Sequence, residues 1–211
     1  MKKPKRLSNP LALAVLVLLF ERPMHPYEMA STLKERHKEK SIKLHYGSLY
    51  TVIDQLLREG FISAGETLRE GKRPEKTVYL LSATGEAEMD SWLRELLSQP
   101  EKEFPRFEAA LTCLPALLPE VVVALLDIRA DRLISIIHGW RASLAEVAQQ
   151  KVPRLFLIES EYQLALHEAE LRYVQELRDS IRNETLEGLD IWRQWHRERA
   201  AARQTAGSSA P

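Results

Sequence analysis

Ser48, Thr51, Gln55 and Arg58 stand three, four and three residues apart, while Leu49, Val52, Ile53, Leu56 and Leu57 fill positions between them. At 100° per residue the apolar set forms one helix face centred on Ile53, and the polar set lies opposite it. Hydroxyl, amide and guanidinium groups on one face are able to read base edges in a DNA major groove. Threonine bonds a base edge or meets a thymine methyl, and glutamine pairs bidentately with adenine. Ser48 stands at the helix N-terminus, where unpaired backbone N–H groups favour phosphate. Tyr46 and Tyr50 flank that end with hydroxyls in reach of a phosphate backbone. Any surface helix also has a polar face, so these residues by themselves leave both readings open.

The elements that must position them are legible on either side. Asn9-Pro10 is a helix start, and an apolar helix follows to about Arg22. Pro23 and Pro26 break it, and Tyr27 to about Lys38 reads as a second helix with Met29, Ala30 and Leu33 inward. The polar-faced helix comes third and ends at Gly60, a residue suited to a left-handed C-cap. Phe61–Leu68 and Thr77–Leu81 then form a hairpin whose tip holds Arg69, Lys72, Arg73 and Lys76 against Glu70 and Glu75. Ser82 caps a fourth helix with Met89, Trp92, Leu93 and Leu96 on one face, closed by Pro100. Three helices followed by a hairpin with a basic tip is the element order of a winged helix-turn-helix, whose second motif helix enters the major groove.

Beyond Pro119 the chain becomes long-helical. Leu126, Ala130, Leu133, Ile137, Trp140, Leu144 and Val147 alternate four and three, the seam of one helix lying along another. After Pro153, the residues Leu155, Ile158, Tyr162, Leu166, Ala169, Tyr173, Leu177 and Ile181 repeat about once per turn. Together they predict an antiparallel helical hairpin with arms on the order of 40 Å. A last short helix from Asp190 to Arg199 precedes a tail too poor in apolar residues to stay ordered. The expected organisation is a DNA-binding domain over 1–99, a helical dimerisation or effector domain over 100–199, and a disordered tail over 200–211.

Charge and composition narrow the function classes. The 211 residues carry no net charge, yet residues 1–81 hold an excess of six positive charges and 82–211 an excess of six negative. A basic front half suits a polyanionic partner, and the KKPKR start is read either as a phosphate-contacting arm or as an idle tail. The apolar run Leu11–Phe20 is half the roughly 20 residues a membrane helix needs, so no membrane partner is expected. It lacks a small-x-small cleavage site, which disfavours a secretory signal. Cys113 has no partner for a disulfide and, in an apolar stretch, reads as a buried small hydrophobe; a cytoplasmic setting fits. The six histidines form no HExxH or similar ligand pair, and phosphate-binding glycine loops are missing, so neither an enzyme nor a cofactor or metal is expected.

The stretches PMHPYEMA, YGSLYTVIDQLLREGFI and VYLLSATGEAEMDSWL, in this order and spacing, resemble the PadR family of bacterial transcriptional regulators. The resemblance covers residues 10–98, and more weakly 105–195. Pro26 stands where many members have glycine, and Ser82 replaces the commoner threonine; neither change removes a DNA-facing group. The resemblance implies a mostly α winged-helix fold with a helical C-terminal domain. It implies a homodimeric repressor that binds double-stranded DNA at an inverted-repeat operator and is released by a small-molecule effector. Candidate DNA contacts are Tyr27, His45, Tyr46, Ser48, Tyr50, Thr51, Gln55 and Arg58, with Arg69, Lys72, Arg73 and Lys76 at the wing. Candidate dimer contacts are Leu13 and Leu16 in the first helix, Leu133, Ile137, Trp140 and Leu144 in the first long helix, and Tyr162 and Leu166 in the second. Phe104, Phe107, His138, Trp140 and Tyr162 are candidates for an effector pocket or for core packing. The competing reading is a winged-helix protein-interaction module without sequence-specific DNA binding.

Overall fold

The computed structural model describes residues 9–36, 38, 46–68 and 76–207. Two compact units divide the chain, Met1–Glu103 and Phe104–Pro211.

In the first unit, α1 (Pro10–Glu21) begins where the Asn9 side chain accepts the Leu11 N–H at 3.0 Å and Pro10 fills the first helical position. Leu11, Ala12, Val15, Leu16, Leu18 and Leu19 are buried, so the helix is enclosed on most sides. It packs against the third and fourth helices and the second strand. Leu16, expected at a dimer contact, is buried in the core of its own unit, and Leu13 is half-buried against the same core.

Helix α2 (Pro26–Glu35) is capped by His25, whose Nδ1 accepts the Tyr27 N–H at 3.2 Å, and it buries Met29, Ala30 and Leu33 as expected. Helix α3 (Tyr46–Arg58) buries Leu49, Val52, Ile53 and Leu56. It ends at Gly60, whose φ is +75°, with Phe61 N–H donating to the Leu56 carbonyl and Gly60 N–H to Leu57. That paired bonding is the glycine stop the sequence predicts.

Strands β1 (Ile62–Leu68) and β2 (Lys76–Leu81) pair antiparallel, with Ile62 opposite Leu81 and Thr67 opposite Thr77, and a bulge between Ala64 and Thr67. Met24, between α1 and α2, exchanges two backbone hydrogen bonds with Tyr79 and ties that turn to the sheet. Helix α4 (Ala83–Ser98) starts under Ser82, whose Oγ accepts the Gly85 N–H and donates to the Gly60 carbonyl. Met89 and Trp92 are buried; Leu96, expected inside, is exposed near the helix end.

In the second unit, α5 (Arg106–Thr112) precedes the long α6 (Pro119–Gln149) and α7 (Ile158–Arg182). These two run antiparallel: Arg129 pairs with Glu170, Arg141 with Glu168 at 2.7 Å, and Asp127 with Arg178 and Arg182. The four-three seam of α6 is buried at Leu126, Ala130, Leu133 and Ile137 against α7 of the same chain. Leu133 and Ile137, expected at a dimer contact, are thus buried in the core of the hairpin itself. On α7 the buried side is Val174 and Ile181, with Leu171 and Leu177 packed beside them. Leu155, Ile158, Tyr162, Leu166 and Tyr173, expected as one inward stripe, are exposed.

Helix α8 (Leu189–Gly207) docks through buried Trp192, whose indole N–H donates to the Leu117 carbonyl at 2.8 Å. It continues past Arg199, so residues 200–207 are helical where a disordered tail is expected. Cys113, expected buried, is exposed beside Thr112. No helix among the described residues is long and apolar enough to cross a membrane.

Candidate nucleic-acid interface

Four fully or nearly fully buried side chains set the orientation of α3. Leu49 and Leu56 are at 0 % exposure, with Val52 and Ile53 beside them. Their mean direction lies between Leu49 and Leu56 and not at Ile53, so the outward direction turns by roughly half a residue step from the sequence reading. The side facing solvent is then Gly47, Tyr50, Thr51, Asp54 and Arg58, all exposed. Ser48 and Gln55 are half-buried on the flank of this face. Asp54 is the functional candidate that sequence reasoning missed. Weighting Leu49 and Leu56 equally with Ile53 would have found it.

The side chains on this face are partly committed already. Thr51 Oγ1 donates to the Gly47 carbonyl at 3.0 Å, which uses its only hydrogen and leaves the methyl group and a lone pair outward. Arg58 Nε donates to the Asp54 carbonyl at 3.3 Å. Tyr50 stands 52 % exposed, and Tyr27, on the first turn of α2, 67 %. Tyr46 opens α3 and Lys76 opens β2. His45, Arg69, Lys72 and Arg73 lie outside the described residues, as does the KKPKR start.

Two arginines at the junction of α1 and α2 are engaged in ion pairs. Arg36 clasps Glu21 through two contacts of 2.5 and 2.7 Å, and Arg22 meets Glu28 at 2.6 Å. The guanidinium hydrogen bond holds the Glu21 carboxyl below the usual carboxylate range, and Arg22 does the same to Glu28. Both pairs join the ends of α1 and α2 and so steady the element that supports α3.

Within the second unit, an open cavity of about 560 Å³ is lined by Phe107, Leu111, Leu125, Ile128, Arg132 and His167, among others. Arg129 stacks on Phe107 at 3.7 Å from the ring centre. His167 Nδ1 lies 2.6 Å from the Gln163 carbonyl oxygen, so Nδ1 carries a hydrogen and donates it. A second cavity of about 280 Å³ is lined by Ile134, His138, Arg141 and Glu168, among others. Of the effector candidates, Phe107 and His138 thus line different cavities, while Phe104, Trp140 and Tyr162 line neither. Among the described residues no group of His, Cys, Asp and Glu side chains is arranged to hold a metal ion.

Solved structures share this fold at low identity. A Bacillus subtilis PadR crystal structure in complex with operator DNA superposes with a TM-score of 0.66 at 19 % identity, covering 82 % of this chain and 99 % of that one. The same protein in complex with p-coumaric acid gives 0.66 at 18 %, covering 81 % and 98 %. The PadR-like transcriptional regulator BC1756 of Bacillus cereus gives 0.54 at 15 %, covering 82 % and 99 %. No curated protein matches the chain. Residues 15–91, from within α1 to the middle of α4, match the model of the Transcriptional regulator PadR-like family.

Proposed function

We propose that the chain is a transcriptional regulator that acts as a homodimeric repressor. Its α3 helices enter successive major grooves of an inverted-repeat operator roughly 34 Å apart, and a small-molecule effector releases it. The observation that carries the reading is the outward face of α3, where hydrogen-bonding side chains gather on the one side that packing leaves free. Tyr50, Thr51 and Arg58 are its central contacts, Ser48 and Gln55 flank them, and Tyr27, His45 and Tyr46 approach the phosphate backbone. Arg69, Lys72, Arg73 and Lys76 of the wing take phosphates or the adjacent minor groove. A structural neighbour holding operator DNA supports the reading at the level of fold.

The dimer reading rests on α7. Ile158, Tyr162, Leu166 and Tyr173 recur at helical spacing and remain exposed, a stripe that a second copy would cover. Trp140 and Leu144, the other expected contacts, are half-buried on α6. The cavity beside Phe107 is the candidate effector site, because its apolar wall carries Arg132 and His167 as polar anchors.

Selection from random double-stranded DNA, with sedimentation of the recovered complex, tests the reading. The expected result is an enriched inverted repeat bound by two chains, with affinity falling steeply as salt rises because phosphate contacts release counterions. Absence of binding at every salt concentration would overturn it in favour of a protein-interaction module.

A further inference from the structure

A carboxylate in the middle of a DNA-facing helix is out of place unless it reads a base. Asp54 is exposed, one turn after Tyr50 and Thr51 and one turn before Arg58, close to the outward centre line of α3. Local structure does not account for it. Aspartate is a weak helix former, and Asp54 lies beyond the first turn, where a carboxylate gains from the helix dipole. An ion pair with Arg58, four residues on, would be the ordinary explanation; instead Arg58 Nε donates to the Asp54 backbone carbonyl. No described residue pairs with the carboxylate.

On DNA the charge excludes a phosphate contact and leaves hydrogen-bond donors as the partners to which the group is suited. In the major groove the donors are the amino groups of cytosine and adenine; the adenine amino group sits beside the N7 acceptor, which repels a carboxylate as the acceptors of guanine and thymine do, so cytosine is the favoured partner. We infer that Asp54 is a specificity-determining residue that selects cytosine at one position of each half-site. The inference rests on the DNA-binding reading above. Thr51, whose hydroxyl hydrogen is already bonded to Gly47, complements it by offering a methyl group to a neighbouring thymine.

The test repeats the selection from random duplex DNA with the wild type, Asp54→Asn and Asp54→Ala, each checked for folding by circular dichroism. The expected wild-type site has cytosine at one symmetric position. Asp54→Asn should change that position alone, towards adenine, to which asparagine pairs bidentately. Asp54→Ala should lose preference there and keep the rest. In titrations, N4-methylcytosine at that position should lower wild-type affinity about fivefold to tenfold, the low end of what one base contact discriminates, and should leave Asp54→Ala unaffected. Identical selected sites for all three proteins, or unchanged wild-type affinity for the methylated site, would overturn the proposal while leaving DNA binding intact. A wild-type protein that enriches no site would overturn both, and would do so before any variant is compared.

Discussion

An alanine methyl at Gly85 would lie 2.0 Å from the Phe61 carbonyl oxygen, whereas one at Gly47 would meet nothing within 4 Å. The first glycine is required by packing, because α4 crosses the backbone at the root of the wing there. Gly85→Ala should destabilise the N-terminal unit by about 2–3 kcal/mol, the scale of overpacking a core, read as a lowered midpoint in urea unfolding. The second glycine is not required by its own chain. Gly47→Ala should keep or slightly raise stability, since alanine favours helix by up to about 1 kcal/mol, yet weaken operator binding if DNA approaches that surface closely. An operator affinity equal to wild type would remove Gly47 from the interface. The sequence marked both positions within its family-like stretches but did not separate their roles, because the separation depends on what lies opposite each Cα.

The helices were legible as elements before their faces were. Asn9, Ser82 and Gly60 announce their caps locally, and each bonds as its type predicts. The long hairpin shows where that reading stops. Tyr162 and Leu166 follow the apolar period of α7 and stay exposed, yet Ile181 at the far end of that series is buried, together with Val174, which lies outside it. A helix with two apolar stripes does not state which one meets its own chain; the register against α6, held by Arg129–Glu170 and Asp127–Arg182, decides that. The exposed stripe yields an expectation at this scale. Tyr162→Asp with Leu166→Asp should leave helical content unchanged. It should raise the concentration needed for dimer formation by at least about 100-fold, because burying an unpaired carboxylate costs several kcal/mol. Sedimentation velocity reads this directly, and a double variant that sediments like the wild type would place the dimer contact elsewhere.

Across the whole molecule, ion pairs within a unit leave the charge asymmetry unchanged but decide which cations stay free to act. Arg22 and Arg36 neutralise Glu28 and Glu21 within the basic unit, so its attraction for a polyanion depends more on the remaining cations. These carboxylates also set an acid limit. Glu21 is held below its unfolded value by the Arg36 hydrogen bond. Its contribution is therefore fully present above the ordinary glutamate value of roughly 4.3 and is lost as pH falls through the depressed folded value. Both side chains are more than a third exposed, so the contribution should be less than about 1 kcal/mol. Thermal unfolding of Glu21→Gln should begin slightly below wild type at pH 7, and the gap should narrow as pH falls below the ordinary glutamate value. A difference that stays constant across that fall would assign the effect to packing and not to charge.

What the sequence by itself determined is everything carried by neighbours along the chain: the order of elements, their caps, the apolar periods, and the motif stretches that resemble a PadR-like regulator. These signals act over one or two helical turns and need no distant partner. Tertiary structure alone decided that α1 spends its apolar surface inside its own unit, that α7 keeps a stripe uncovered, and that α3 turns Asp54 outward while drawing Gln55 to the flank. The physical reason is the same in each case. A helix's rotation about its own axis is set by the volume and position of side chains on the elements it packs against, and those lie far away in sequence.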